Sequence, residues 1–240
     1  MADTLTFKAV PFPFLDWVQE SYVKGFQQTF HLARDWTDHI QLPPPPDASS
    51  CEWECRAVFA AKGEREKRRA DILKQASYMG MVVSVAAPLF PASADPEVEL
   101  QKFPKTLKMI QDALYDQESG VFRFKAFFNR GRPHHCCNLD IDPMFKKGDP
   151  PYPGHPAYPS GHSTQAHTVA LLLGQLVPAK KQELLDAAYG VARNREVGGF
   201  HYGSDTFAGQ VLAEQFVPLI QRVATFQAVV AAAAAEWPVV

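Results

Sequence analysis

The chain has 240 residues, 46% of them hydrophobic, and 24 Lys+Arg against 26 Asp+Glu leave a formal charge of −2. Size and apolar content allow a sizeable core, and a single domain over residues 1–240 is expected. The balanced charge offers no basic surplus for nucleic acid, and no uninterrupted apolar run reaches the roughly 20 residues of a transmembrane helix.

From residue 14 to about 40, Val18, Tyr22, Phe26, Phe30 and Ala33 recur at helical spacing and predict one amphipathic helix. Four prolines at 43–46 stop it and form a stiff spacer, so residues 1–50 read as an N-terminal helix plus proline-rich linker. The first eight residues lack a basic stretch followed by an apolar core, so no secretory signal is visible and a cytoplasmic location is expected. On that expectation Cys51, Cys55, Cys136 and Cys137 are reduced thiols. His134 and His135 precede the second cysteine pair, but no further block completes a common zinc site, and no metal is expected.

The charged residues 62–69 predict a solvated face leading into apolar residues 72–89, together one long helix. Asp95-Pro96-Glu97 is a helix start, with Asp as cap and Pro in the first turn. Pro104 separates that segment from a helix over residues 105–115. Another short helix carries Phe122, Lys125 and Phe128 and unwinds at Gly131, because Pro133 biases Arg132 toward an extended backbone. Residues 138–158 form a long proline-rich loop, and loops of that length in compact domains are often functional. Further helices are expected at about 162–176, 180–194 and 204–233. No strand-like alternation appears, and the fold class is all-α, a helical bundle.

Three blocks carry candidate chemistry. Lys125 and Arg132 are seven apart, nearly two helical turns, which would set them on one face about 10 Å apart along the axis. The plainer alternative is two surface cations on an exposed helix. Pro159-Ser160-Gly161-His162 enters a helix, with Ser160 as cap and Gly161 leaving the backbone amides open to an anion. A plain capped helix start with an exposed histidine is the alternative there, and His167 on the same helix reads as packed or solvated. Arg195, His201 and Asp205 form the third block, in which a carboxylate four residues after the ring can fix the tautomer that leaves Nε2 with a lone pair. Alone, that pair could equally be a weak surface interaction.

In this order, K-x6-RP, PSGH and R-x5-H-x3-D resemble the signature of the type 2 phosphatidic acid phosphatase superfamily, which includes bacterial class A nonspecific acid phosphatases, membrane lipid phosphatases and vanadium-dependent haloperoxidases. Residues 158–165 and 194–202 are similar to the soluble bacterial members, except that Asn194 stands where serine is common. The resemblance implies an all-α bundle of the acid phosphatase/vanadium-dependent haloperoxidase type, with its motifs within 125–205. It implies a metal-independent phosphomonoester hydrolase that needs no cofactor and acts on a small phosphorylated substrate. His201 would attack phosphorus, His162 would act as general acid and base, and Asp205 would orient His201. Lys125, Arg132, Ser160, Gly161 and Arg195 would bind the phosphate. An acidic to near-neutral pH optimum follows. The alternative is a vanadium-dependent haloperoxidase holding vanadate through His201 in the same residues, and such enzymes are typically longer than this chain. A catalytically silent phosphate-binding module is the rival from another class. No nucleic-acid partner is expected, and a homo-oligomer is compatible with the sequence.

Overall fold

In the computed structural model the described residues are 10–13, 16–148 and 152–237. Phe14 and Leu15, part of the loop over residues 138–158, and residues 1–9 lie outside them. The described residues are helical without a named strand, and one isolated bridge pairs Pro11 with Arg130. The helices are α1 (Gln19–Lys24), α2 (Ala48–Ala61), α3 (Arg65–Lys74), α4 (Tyr78–Ala86), α5 (Pro96–Leu100), α6 (Pro104–Phe128), α7 (Pro133–Cys136), α8 (Gly161–Leu176), α9 (Lys181–Val197), α10 (Gly203–Ile220) and α11 (Ala224–Ala234). None of them is long and apolar enough by itself to cross a membrane.

The core sits around α8, which packs on α4, α6, α9 and α10. Val169, Ala170, Leu172 and Leu173 are fully enclosed there, meeting Val191 of α9 and Leu212 and Phe216 of α10. Each fully buried side chain of this kind contributes roughly 1.5–3 kcal/mol, so this layer dominates the fold. Gly209 allows α10 to approach the start of α8, since a Cβ there would lie 2.7 Å from the Ser163 Cβ and 2.8 Å from the Ser160 carbonyl. That close crossing brings the serine-glycine-histidine turn beside the start of α10.

Several expected elements fold differently. The amphipathic stripe before residue 40 does not make one helix: among the described residues, α1 and a 3-10 turn at Trp36–His39 are the named helical elements there. Val18, Phe26 and Phe30 are exposed, and Trp36 is the buried anchor, edge-on to Phe216 at 5.1 Å. Residues 25–34 instead run as a strap over α6. The buried Asp116 carboxylate accepts the N–H groups of Phe30, His31 (2.8 Å) and Leu32 (2.9 Å), and Arg123 Nε donates to the Gly25 carbonyl at 2.9 Å. Tertiary acceptors thus replace the intrahelical ladder.

The long helix expected up to residue 89 breaks between α3 and α4 with a bend of 108°. Ser77 caps α4, its Oγ accepting the Gly80 N–H at 3.0 Å. The charged run ahead of it is not wholly solvated. Arg65 is buried and donates to the carbonyls of Val197 (2.8 Å), Asp142 (2.6 Å) and Ile141 (2.9 Å), pinning the end of α9 to the long loop.

Conversely, the two helices expected within residues 105–128 are one, the 25-residue α6, ending where Asn129 turns left-handed at φ 43°. The helix expected over 204–233 is two, α10 and α11, bent by 98°. At that break the Gln227 side chain donates to the Gln221 carbonyl at 3.0 Å, satisfying a helix-end acceptor.

The cysteines are not all reduced. Cys55 of α2 and Cys137 after α7 form a disulfide, and Cys51 and Cys136 are free and buried beside it. A packed pair brought together from 82 residues apart overrides the expectation drawn from cellular location.

Candidate active site

A cavity of about 190 Å³ opens where α6, the first turn of α8, the end of α9 and the segment before α10 meet. Lys125, His155, Gly161, His162, Arg195 and His201 share its wall. Each motif block therefore contributes to one concavity.

His201 reaches it from the turn between α9 and α10. Gly199 makes that turn at φ +80°, and a Cβ there would lie 2.6 Å from Arg65 Nη2, so a larger residue would be both strained and crowded. Asp205, in the first turn of α10, accepts the Tyr202 N–H at 3.0 Å and sits with the same oxygen 3.1 Å from His201 Nδ1. An ionised carboxylate only accepts, so Nδ1 carries the proton and Nε2 the lone pair. Nε2 lies 3.4 Å from Arg132 Nη1.

Lys125 and Arg132 do not share a helix face. Asn129 ends α6 between them, and Arg132 caps α7. They still converge from two elements. Arg132 donates to the Phe200 carbonyl at 2.7 Å and the His155 carbonyl at 2.9 Å, and its Nη2 sits 3.0 Å from His155 Nδ1. The Lys125 ammonium donates to the carbonyls of Pro156 (2.8 Å), Ala157 (3.1 Å) and Pro159 (2.6 Å). It therefore holds the long loop in place and supplies charge through space, its three N–H groups being engaged by those carbonyls.

Ser160 is fully buried and caps α8, its Oγ 3.3 Å from the Ser163 N–H. Gly161 and His162 present the first turn of the 16-residue α8 to the cavity, the end of a helix that attracts anions. His162 Nε2 lies 3.1 Å from the Gln75 carbonyl, which leaves Nδ1 to exchange protons. Arg195 donates from Nη2 to the Ile72 carbonyl at 2.7 Å, while its buried Nε has no protein partner. Asn194 is structural, bonded to Gln75 and Arg68. His167 is packed, its Nδ1 2.8 Å from the Ser163 carbonyl.

The electrostatics are lopsided. Burial pulls Arg132 and Arg195 down to about 10, still cationic at neutral pH. Burial, then Arg132 and Lys125, hold His201 well below the usual histidine range, so its ring is neutral. Burial, then Arg195, lower His162 to about 3. Two like charges 5 Å apart at an effective dielectric of 20 repel by about 3 kcal/mol, so cations gathered here are best balanced by an anion. The unpartnered Arg195 Nε, the neutral ring and the helix start suit a tetrahedral oxyanion, phosphate or vanadate. Among the described residues no cluster of three His, Cys, Asp or Glu could hold a metal ion.

Residues outside the motifs complete the site. His155 shares the wall and touches Arg132; its only sequence signal was a histidine between prolines in the long loop. Arg130 stands behind Asp205, 2.6 Å from its carboxylate, and Glu54 lies 2.7 Å from Arg130 on the far side. At the rim, Lys24 pairs with Glu118 at 2.8 Å.

The model of the PAP2 superfamily matches residues 111–227, which span all the motif residues. The chain is 26% identical over 214 residues to a non-specific acid phosphatase of Salmonella typhi, covering 83% of this chain and 80% of that protein. It is 27% identical over 144 residues to an acid phosphatase of Zymomonas mobilis, covering 58% of this chain and 52% of that protein. Among solved structures, a bacterial vanadium-dependent iodoperoxidase superposes with a TM-score of 0.61 over 92% of this chain, at 16% identity. This chain spans 60% of that structure's length, and at that identity the likeness is one of fold: both are all-helical.

Proposed function

From the premise that this chain belongs to the PAP2 superfamily, we propose that it is a phosphomonoester hydrolase acting through a phosphohistidine on His201. The observation that carries this reading is the His201 ring. Its Nδ1 is tied to Asp205 at 3.1 Å, and its Nε2 faces Arg132, which stands directly behind the wall of the cationic cavity that His201 lines. Phosphatase relatives of comparable length support it.

A phosphate monoester would displace the weak Arg132–Nε2 contact and place its oxygens against Arg132, Arg195 and the first amides of α8. The Nε2 lone pair forms the N–P bond as the P–O ester bond breaks, and His162 gives a proton to the leaving oxygen. Water then attacks phosphorus, its proton returns to His162, and the N–P electron pair goes back to His201. The ring is positive while phosphorylated, and Asp205 stabilises that charge. The cations act on the equatorial oxygens, where most phosphoryl-transfer catalysis arises.

His162 is not protonated by its own surroundings, which hold it near 3. An incoming phosphate reverses the sign of that field, so substrate and proton enter together, in keeping with an acidic to near-neutral optimum. Vanadate fits the same residues and, when bound, would supply peroxide activation instead.

The test is hydrolysis of p-nitrophenyl phosphate with trapping of phosphoenzyme in an alkaline denaturing quench, because acid cleaves the N–P bond of a phosphohistidine. Wild type is expected to turn over and trap phosphate on His201, whereas H201A should do neither while keeping its helical circular dichroism. A fully active H201A would remove the nucleophile from this reading, and vanadate- and peroxide-dependent bromination without hydrolysis would replace it.

A further inference from the structure

On the side of His201 away from the cavity lies a second set of buried charges, Arg130 and Glu54, at none of the specified positions of the sequence motifs. Arg130, from the turn between α6 and α7, donates from Nη1 to Asp205 Oδ1 at 2.6 Å and to Ser204 Oγ at 2.7 Å. Its Nη2 donates to Glu54 Oε2 at 2.7 Å, and its guanidinium lies 4.0 Å over the Tyr202 ring. Glu54, from α2, uses Oε1 to accept the Ser204 N–H at 2.8 Å, in the first turn of α10. Glu54 and Asp205 are fully buried and Arg130 nearly so.

We propose that Glu54 and Arg130 are positioning residues for His201, acting through Asp205: Arg130 locks the Asp205 carboxylate and Glu54 locks and neutralises Arg130. The proposal rests on the reading of His201 as nucleophile.

Two physical needs point this way. A carboxylate rotates almost freely about its last torsion, and Asp205 must keep one oxygen on His201 Nδ1. A guanidinium on the other oxygen, itself held by a third element, removes that freedom. The second need is charge. Arg130 alone would cancel the Asp205 charge that the phosphorylated ring relies on. Glu54 restores it, since two carboxylates and one guanidinium leave a net −1 behind the ring. Across the ring stand Arg132, Lys125, Arg195, His162 and His155, so this negative charge is the only one His201 meets among the groups named around it. A salt bridge needed only for folding would have no reason to meet the one carboxylate that touches the ring.

The experiment compares wild type, H201A, E54Q, R130K and R130A by kcat and KM for p-nitrophenyl phosphate, per folded protein, with quenched phosphoenzyme counted. In E54Q and R130K, kcat should fall about 10- to 100-fold while KM moves less than about threefold, because misplacement of the ring affects the attack more than binding. R130A should lose more, and added guanidinium should restore at least about tenfold of it, a rescue that general destabilisation does not predict. Folded variants with wild-type kcat, equal losses in kcat and 1/KM, or no rescue of folded R130A would overturn the proposal. Loss of folded protein in both E54Q and R130K would make the pair scaffold and overturn it as well. A wild type that hydrolyses substrate without phosphoenzyme, with H201A still active, would instead fault the nucleophile reading itself.

Discussion

Replacing Asp205 by Asn removes one charge and almost no volume, and its consequence follows from who faces each oxygen. Arg130 Nη1 donates to Oδ1 at 2.6 Å; His201 Nδ1 and the Tyr202 N–H face Oδ2 at 3.1 and 3.0 Å. An amide has a single oxygen for these three donors. The charged guanidinium claims it, since charge-assisted bonds are about twice as strong as neutral ones. The amide nitrogen then faces His201, whose Nδ1 must become the acceptor, and the ring proton moves to Nε2. The lone pair needed for attack is lost. The same swap in a Ser-His-Asp triad lowers turnover by about 10⁴, or about 5.4 kcal/mol of barrier. We expect a comparable loss of kcat for p-nitrophenyl phosphate, with circular dichroism unchanged and the phosphoenzyme burst abolished. A folded D205N with kcat within about tenfold of wild type would refute the idea that Asp205 sets the tautomer.

Two further outcomes are expected. Burial lowers His134 and His162 to about 3, and His135, His155, His167 and His201 are also held below the usual histidine range. These rings stay neutral in the fold but charge near pH 6.5 when unfolded, so the unfolded chain binds more protons as pH falls. Stability should therefore be full above about pH 6.5 and decline below it toward the folded values; urea midpoints that stay level or rise from pH 7 to 4.5 would contradict this. Reducing Cys55–Cys137, which closes a loop of sequence separation 82, should cost about 4–5 kcal/mol in denaturant unfolding. A reduced protein as stable as the oxidised one would show that α2 and the segment after α7 are held without it.

The three motif blocks were legible because each residue in them keeps a fixed short spacing, and a shared chemistry makes sense of their order. Lys125, Gly161, His162, Arg195 and His201 do meet at one cavity, with Arg132 and Asp205 directly behind its wall. Local capping was legible too: Asp95 accepts the Glu97 N–H at 2.9 Å, and Ser160 caps α8. Helix boundaries were less so. Residues 14–40 carry a helical stripe, yet Asp116 and Arg123 of α6 offer that backbone better partners than its own turns do. Residues 105–128 hold no proline, and one helix runs through where two were expected.

The spacing of apolar residues, caps and prolines along the chain determined an all-helical class, because those signals depend on neighbours along the backbone, whereas the gathering of the three blocks into one cationic, histidine-bearing site was implied only by their resemblance to the superfamily signature. The tertiary structure alone decided the Glu54–Arg130–Asp205 chain, the His155 contact, the use of Lys125 to hold the loop, and the Cys55–Cys137 pairing. Each of these joins groups from separate elements, in several cases more than 65 positions apart, and such pairings leave no period in the sequence. Buried charges find partners only once the elements that carry them have packed.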